Sequence, residues 1–300
     1  MKKVLFYTQN RWAFGSLHHG LCKELYKHNI YANLLDWTQT YTSEEFELLN
    51  TTYDLFVTHP ESCLQLHYNY GIPLNKIVAI AHEQWDILLA KKESGVGFYS
   101  ELYSYAVISK IVSDKSLEIG ISVVPSIVKV GIHFDVFYQS IHNSLTNIGY
   151  GGRKETLNFF GVDRKRGHLV EKVVSNIKDL NLVSHNYYNH LCMPGYYNKI
   201  DALVMSSLEE AGGLPAMEAA AAGKLIIGTP VGYFEENGKH GGGILVPLDE
   251  LGFLNETRKT LLHYRDNPKE YMEKCEEIQN YARENYDWSE TIHSWVELFS

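Results

Sequence analysis

Short apolar segments alternate with segments of helical periodicity along the first half of the 300-residue chain. Such apolar runs are typical of strands buried on both faces of a parallel sheet, and the periodic segments are typical of the helices that cover it. Strands are predicted at 3–8, 31–37, 54–59, 76–82, 105–109 and 128–131. Helices are predicted at 16–29 and 110–121. This alternation predicts βαβ units and an α/β fold.

The same pattern restarts after about residue 141. Strands are predicted at 145–152, 178–185, 201–206 and 225–230, and a helix at 167–177. Two α/β halves in series predict two Rossmann-like domains facing each other across a cleft, with ligands at the carboxyl ends of the strands. The predicted domains are residues 1–140 with a C-terminal helix at about 287–300, and residues 141–286. Two C-terminal helices are expected, the last one capped by Ser289.

Composition narrows the functional classes. The formal net charge is −9 and neither half of the chain is basic, which disfavours a broad nucleic-acid surface and constitutive docking on an anionic bilayer. A local patch at Lys91 and Lys92 leaves peripheral membrane contact open. The four cysteines are widely spaced, as expected for reduced thiols of a cytoplasmic protein. No apolar stretch approaches the ~20 residues of a membrane span.

A glycine loop precedes a short alanine-rich segment at 215–222. Pro215 suits the start of a helix and Gly223 its end. The helix N-terminus exposes N–H groups and partial positive charge, and Gly212 and Gly213 allow a ligand to approach the backbone. With Leu214 completing the loop, this segment predicts a site for an anion such as a diphosphate.

Two carboxylates flank this loop. Glu218 could accept hydrogen bonds from both hydroxyls of a ribose, and Glu210 enters from the other end of the loop. A structural interpretation stands beside this one, because a glutamate near a helix start is often a partner of the helix dipole and the glycines could form a tight connection. The residues of this segment alone leave both interpretations open.

Residues 206–247 resemble the donor-binding segment of retaining glycosyltransferases of family 4, also called glycosyl transferases group 1. The positions that match are Ser207, Glu210, Gly213, Leu214, Pro215, Glu218, Gly223, Gly232, Glu236, Leu245, Val246 and Pro247. Ala211 departs from the glycine usual in the family. Residues 113–137, the histidine of 79–83 and the C-terminal helix are also similar to parts of this family.

The resemblance implies a GT-B fold, with residues 1–140 as the acceptor-side domain and residues 141–286 as the donor-binding domain. It also implies a metal-independent, front-face transfer of a hexose from a nucleotide-diphosphate sugar to a hydroxyl acceptor. UDP- or GDP-sugar is the expected partner, and no cofactor is expected. Glu210 would hold the hexose, Glu218 the ribose, and His82 would touch the transferred sugar. The chain has no Asp-x-Asp pair to hold a divalent ion.

The resemblance also implies cationic residues for the diphosphate. Arg153 and Lys165 resemble the clamping pair of the family, although an alternative register would give the role of Lys165 to Arg166. Gly15, after the first strand, would let the N-terminus of the 16–29 helix approach the phosphate from the other domain.

Three competing functions stand beside this one. The first is a GT-B-shaped sugar-nucleotide epimerase or a phosphorylase, although nothing in the sequence suggests the pyridoxal lysine that a phosphorylase needs. The second is a GT-B-shaped nucleotide-sugar-binding protein without catalysis, and the third is a glycosyltransferase that modifies DNA, which the acidic charge disfavours. The nucleotide base, the sugar, the acceptor and the oligomeric state are not specified by the sequence.

Overall fold

A computed structural model describes residues 1–9, 12–151, 156–158, 160–184, 192–210 and 212–300, with the backbone alone at 12–14 and 16. The chain divides into unit 1, Met1–Gly131 with Trp288–Ser300, and unit 2, Ile132–Asp287. These bounds differ by a few residues from the predicted ones, and the acceptor-side and donor-side roles of the two units stay predictions. In the described part of the chain, no helix has the length and apolar character needed to cross a membrane.

Unit 1 contains a six-stranded parallel sheet. Its strands are β1 (Lys2–Thr8), β2 (Ile30–Asp36), β3 (Leu55–Thr58), β4 (Ile77–Ala81), β5 (Ser104–Val107) and β6 (Ser126–Ile127), in the order β2-β1-β3-β4-β5-β6. β1, β3 and β4 are almost wholly buried, which explains their continuous apolar sequence. The predicted α/β class is confirmed by this sheet and by that of unit 2.

The predicted strand at 128–131 is wrong, because the edge strand β6 ends at Ile127. Backbone groups of Lys129 bond instead to the side chains of Ser294 and Trp295. At Gly131 an added Cβ would lie 2.5 Å from Trp288. The apolar alternation of this segment therefore reflects packing against the C-terminus.

The helices of unit 1 cover its sheet. They are α1 (Trp12–Lys27), α2 (Ser43–Thr52), α3 (Pro60–Tyr70), α4 (Gln84–Ser94) and α5 (Lys110–Ile119). Because α1 begins at Trp12 and not at 16 as expected, Gly15 lies inside the first turn of the helix. The predicted start of the helix is therefore wrong, and the role of Gly15 at the phosphate stays a prediction.

Unit 2 begins with the short helix α6 (Phe134–Phe137) and contains a five-stranded parallel sheet. The strands are β7 (Asn147–Tyr150), β8 (Asn181–Val183), β9 (Ala202–Met205), β10 (Leu225–Gly228) and β11 (Ile244–Leu245), in the order β11-β10-β9-β7-β8. The helices are α7 (Gly167–Val174), α8 (Met193–Tyr197), α9 (Leu214–Ala221), α10 (Tyr233–Lys239), α11 (Glu250–Asp266) and α12 (Pro268–Tyr286).

The chain order reverses between β7 and β9. From β7 the chain first adds β8 on one side and then returns to place β9 on the other side. The carboxyl ends of two strands whose connections diverge leave a crevice, which is where ligands bind in open α/β sheets. In unit 2 this crevice is bordered by the residues after Tyr150 and after Met205.

The C-terminal segment packs on unit 1 as two short helices, α13 (Trp288–Thr291) and α14 (His293–Leu298). Ser289 lies within α13, so the predicted cap of the last helix is wrong. The ring of Trp295 lies 6.5 Å from Phe6 and 6.3 Å from Phe299, measured between centroids. Its indole N–H donates to the Lys129 carbonyl over 2.7 Å.

We expect Trp295→Ala to destabilise unit 1 by about 3–5 kcal/mol, because a fully buried indole and its hydrogen bond are lost. Glu297→Ala, on the exposed face of the same helix, is the matched control. Denaturant unfolding of both variants measures the difference. Equal midpoints for the two variants would show that the C-terminal segment contributes little to unit 1.

Candidate functional site

The predicted glycine loop stands at the carboxyl edge of the unit 2 sheet, between β9 and α9. Gly213 has φ 58° and ψ 35°, a left-handed conformation that favours glycine, and immediately precedes α9. A Cβ at Gly213 would meet nothing within 4 Å, so the space in front of this backbone is open. Gly212 and Leu214 are half-buried. Pro215 is the second helical residue, where its missing N–H has no consequence.

Glu218 lies on the buried face of α9, and only 3% of it is exposed. The hydroxyl of Tyr197 in α8 donates to its Oε2 over 2.6 Å. Burial, followed by the charge of Glu218, raises the pKa of Tyr197 well above its usual value, so the phenol stays a donor. Glu218 is therefore a fixed carboxylate one turn into α9, and not a solvated partner of the helix dipole.

Lys165 and Glu210 form an ion pair at the same sheet edge, with about 15% of each side chain exposed. The hydroxyl of Ser207 donates to Glu210 Oε1 over 2.7 Å. Lys165 comes just before α7, which follows β7, and Glu210 follows β9. The two strands on either side of the crevice thus bring together residues 45 positions apart.

A carboxylate orders the segment before α7. Asp163 accepts hydrogen bonds from the backbone N–H groups of Thr156, Lys165 and Arg166, at 3.0–3.1 Å. Although burial acts to raise the pKa of Asp163, these three donors lower it overall. The side chain of Asp163 therefore holds in place the backbone of the segment that carries Lys165.

Arg166 is almost completely buried. Its guanidinium donates to the carbonyl of Ser206 over 2.7 Å and to that of Leu248 over 2.8 Å. Burial lowers the pKa of its side chain. Of the two registers that the sequence leaves open, this geometry favours Lys165 as the cation at the crevice and makes Arg166 a structural residue.

Two residues of the predicted site region lie outside the described residues. They are Arg153, the other predicted phosphate clamp, and Ala211 in the glycine loop. The role of Arg153 stays a prediction. Gly15 and His82 belong to unit 1, whereas Lys165, Glu210, Gly212, Gly213, Leu214 and Glu218 belong to unit 2.

His82 follows β4 at the carboxyl edge of the unit 1 sheet and is buried. Its ring stacks on that of His59, which follows β3, with centroids 4.7 Å apart. The backbone N–H of His82 donates to Asp86 over 2.7 Å. Burial, with the neighbouring His59 and His18, lowers the pKa of His82 well below its usual value, so the imidazole stays neutral.

The pKa of His59 shifts in the opposite direction to that of His82. Burial acts to lower its pKa, but Asp86, Glu61 and Glu83 outweigh this effect and raise it. The ligand atoms of His59, His82 and Asp86 lie within 4.8 Å of one another, and in the described part of the chain this is the one group that could hold a metal ion. The expectation that the protein needs no metal stays a prediction.

A second polar cluster stands at the opposite, amino edge of the unit 2 sheet. Asp201 lies 2.6 Å from His142, Oδ1 to Nδ1, and its Oδ2 accepts from the backbone of Thr146 and Asn147. Lys224 is completely buried beside His142. Burial lowers the pKa of Lys224 to about 8, although the charge of Asp201 opposes this. This cluster joins the starts of three strands and is remote from the glycine loop.

Sequence reasoning missed Tyr197, His59 and Asp163. Tyr197 stands 21 positions before Glu218, in a short helix that carries no motif. His59 gave a signal that could have been used, because it ends a buried strand just as His82 does.

Comparisons with known proteins show similarity at two levels, sequence and fold. Residues 134–263, all within unit 2, match the family model described as "Glycosyl transferases group 1". No curated protein sequence is significantly similar to the chain.

Solved structures are similar over almost the whole chain. HepE from Anabaena, in complex with UDP and glucose, has a TM-score of 0.73 at 12% identity and covers 99% of both chains. Sucrose-phosphate synthase from Thermosynechococcus elongatus has a TM-score of 0.71 at 13% identity, covering 100% of this chain and 98% of its own. A glycosyltransferase from Rickettsia africae has a TM-score of 0.66 at 14% identity, covering 99% and 98%.

At these identities the structural similarity establishes the fold, which is GT-B as predicted. The family match concerns residues 134–263, which are less than half of the chain.

We expect Arg166→Met to destabilise unit 2 by about 2–4 kcal/mol, because two charge-assisted hydrogen bonds are lost and the Ser206 carbonyl is buried. Arg166→Lys should also destabilise it, since a single ammonium group cannot reach both carbonyls as the planar guanidinium does. Arg258→Met, at an exposed position, is the control, and urea unfolding is the measurement. Nucleotide binding lost without loss of stability would return Arg166 to the phosphate-binding role.

The buried Lys224 predicts how the stability of the protein depends on pH. Its pKa is lower in the folded than in the unfolded protein, so between pH 8 and 10.5 the unfolded state binds more protons. Compared with Lys224→Met, the wild-type stability should therefore rise with pH in this window, by at most about 1.4 kcal/mol per pH unit. Parallel unfolding curves at pH 7.5, 8.5 and 9.5 measure it, with exposed Lys178→Met as the control. A pH-independent difference would contradict the buried, shifted lysine.

Proposed function

We propose that this protein transfers a hexose from a nucleotide-diphosphate sugar to a hydroxyl acceptor with retention of the anomeric configuration. The observation that carries the proposal is the juxtaposition, at one crevice of unit 2, of the Lys165–Glu210 pair with the left-handed Gly213 and the start of α9. A cation and a helix N-terminus at the same place suit a diphosphate, and carboxylates on either side suit sugar hydroxyls.

Unit 2 would bind the donor. The diphosphate would lie at the N-terminus of α9, with Lys165 neutralising its charge and Arg153 as a second predicted cation. A phosphate that takes over Lys165 would release Glu210 to accept hydrogen bonds from the hexose, while Ser207 keeps its carboxylate in place. Glu218 would accept from the ribose. Since HepE was crystallised with UDP and with UDP-glucose, uridine nucleotides are the first to test.

The chemical step would be a front-face substitution. The acceptor oxygen bonds to the anomeric carbon as the bond from that carbon to the phosphate oxygen breaks, and the acceptor proton passes to the departing phosphate. Lys165 and the helix N-terminus stabilise the charge that develops on this phosphate. No step of this scheme uses a metal or a cofactor. The neutral imidazole of His82 in unit 1 is the predicted contact of the transferred sugar.

Nucleotide binding tests the donor site. UDP, GDP, ADP, dTDP and CMP are compared by thermal shift, and a nucleotide present at 100 times its Kd should stabilise the protein by about 2.7 kcal/mol. Lys165→Met should weaken binding at least about tenfold, because a charge-assisted contact is lost. Lys172→Met, an exposed lysine in α7, is the control. No shift with any nucleotide at millimolar concentration would contradict the proposal.

Turnover separates an enzyme from a binding protein that does not catalyse. Release of nucleoside diphosphate from the matching nucleotide sugar should be detectable even without the acceptor, through slow donor hydrolysis. Glu210→Gln should greatly reduce this release and leave binding of the free nucleotide intact. The anomeric configuration of the released sugar, followed by NMR, tests retention. Tight nucleotide binding with no release would favour the non-catalytic alternative.

A further inference from the structure

Tyr197, which the proposed function does not use, forms a buried pair with Glu218 in unit 2. Tyr197 is completely buried and its hydroxyl lies 2.6 Å from Glu218 Oε2. A hydrogen bond from a neutral donor to a buried carboxylate is short and directional, so it restricts the rotation of the acceptor. The carboxylate of Glu218, one turn into α9, therefore has a defined orientation.

The surroundings hold the donor of this bond in place. The neighbouring Tyr196 packs against Gly149 of β7, where an added Cβ would lie 2.4 Å from its hydroxyl. The Tyr196 hydroxyl donates to the Val183 carbonyl over 3.2 Å. The ring of Tyr197 lies edge-on to Phe137, 6.0 Å away. With α8 fixed in this way, Tyr197 has little freedom to leave Glu218.

A purely structural role predicts that this pair only stabilises the packing of α8 against α9. A positioning role predicts, in addition, that the pair affects how Glu218 binds a ligand. A carboxylate offers about four lone-pair positions, and Tyr197 occupies one of them. By fixing the carboxylate plane, the bond determines where the remaining positions point, and hence how well they accept from two adjacent hydroxyls.

We propose that Tyr197 is a positioning residue that aligns Glu218 with the ribose of the bound nucleotide and so sets the preference for ribonucleotides over deoxyribonucleotides. The inference rests on the proposed function, because it takes the nucleotide to lie at the glycine loop. Tyr197 itself does not touch the ligand in this account. Its effect passes through the orientation of one carboxylate.

The test compares a ribonucleotide with its deoxy counterparts. Whichever of UDP, GDP and ADP binds best is titrated calorimetrically, together with its 2′-deoxy and 3′-deoxy forms. The wild type should prefer the ribonucleotide about tenfold or more, as expected for hydrogen bonds to a charged group. Tyr197→Phe, which deletes one hydroxyl, should reduce this preference at least about threefold while leaving the affinity for the deoxynucleotides nearly unchanged.

Tyr196→Phe is the matched control, since it removes a neighbouring buried hydroxyl that bonds to backbone carbonyls. Its preference for the ribonucleotide should equal that of the wild type. Glu218→Gln should abolish the preference, and it tests the same bond from the other side if Tyr197→Phe does not fold.

The outcomes are distinct. An equal loss of affinity for ribo- and deoxyribonucleotides in Tyr197→Phe, or an unchanged preference in this variant, overturns the inference and leaves the proposed function standing. An unchanged preference in Glu218→Gln overturns both the inference and the proposed ribose contact of Glu218, while nucleotide binding at the glycine loop stands. Absence of nucleotide binding by the wild type overturns the proposed function itself.

Discussion

The pairing of β7 with β9 is the constraint on which the candidate site of unit 2 depends. These parallel strands carry connections that run to opposite sides of the sheet, so the backbone opens at their carboxyl ends. Lys165 reaches this edge after β7, and Glu210 reaches it after β9. Without this strand order the ion pair, the glycine loop and the start of α9 would not meet, although each would still exist in the sequence.

Buried charge is arranged asymmetrically in this unit. At the carboxyl edge, Lys165 and Glu210 remain partly exposed and can exchange partners when an anion arrives. At the amino edge, Lys224 is closed off beside His142, and its lowered pKa reflects the cost of burying a charge there. Arg166 is also buried, and its hydrogen bonds to the carbonyls of Ser206 and Leu248 hold it in place. The residues suited to binding the diphosphate are those whose partners an anion can replace.

The sequence predicts much of this arrangement, because the hydrophobic periodicity and the residues that start and end helices are patterns of neighbouring residues. The alternating strands and helices, the short helix after Gly213 and the two flanking glutamates all follow from local patterns. Contacts between segments that are distant in the sequence do not follow from local patterns. The choice between Lys165 and Arg166 depends on which side chain finds the carbonyls of Ser206 and Leu248, and these lie 40 and 82 positions from Arg166. The segment at 128–131 has the apolar pattern of a strand because it packs against the C-terminal helices, and this contact is not visible in the local sequence.

The central claim is that unit 2 binds a nucleoside diphosphate at the start of α9. Hydrogen–deuterium exchange with and without UDP, GDP or ADP tests it most directly, because the exchange is located along the chain. The account predicts slower exchange in peptides covering 163–167 and 206–218, and unchanged exchange around Lys224. Protection confined to other segments, or none in the presence of a nucleotide that binds, would contradict it.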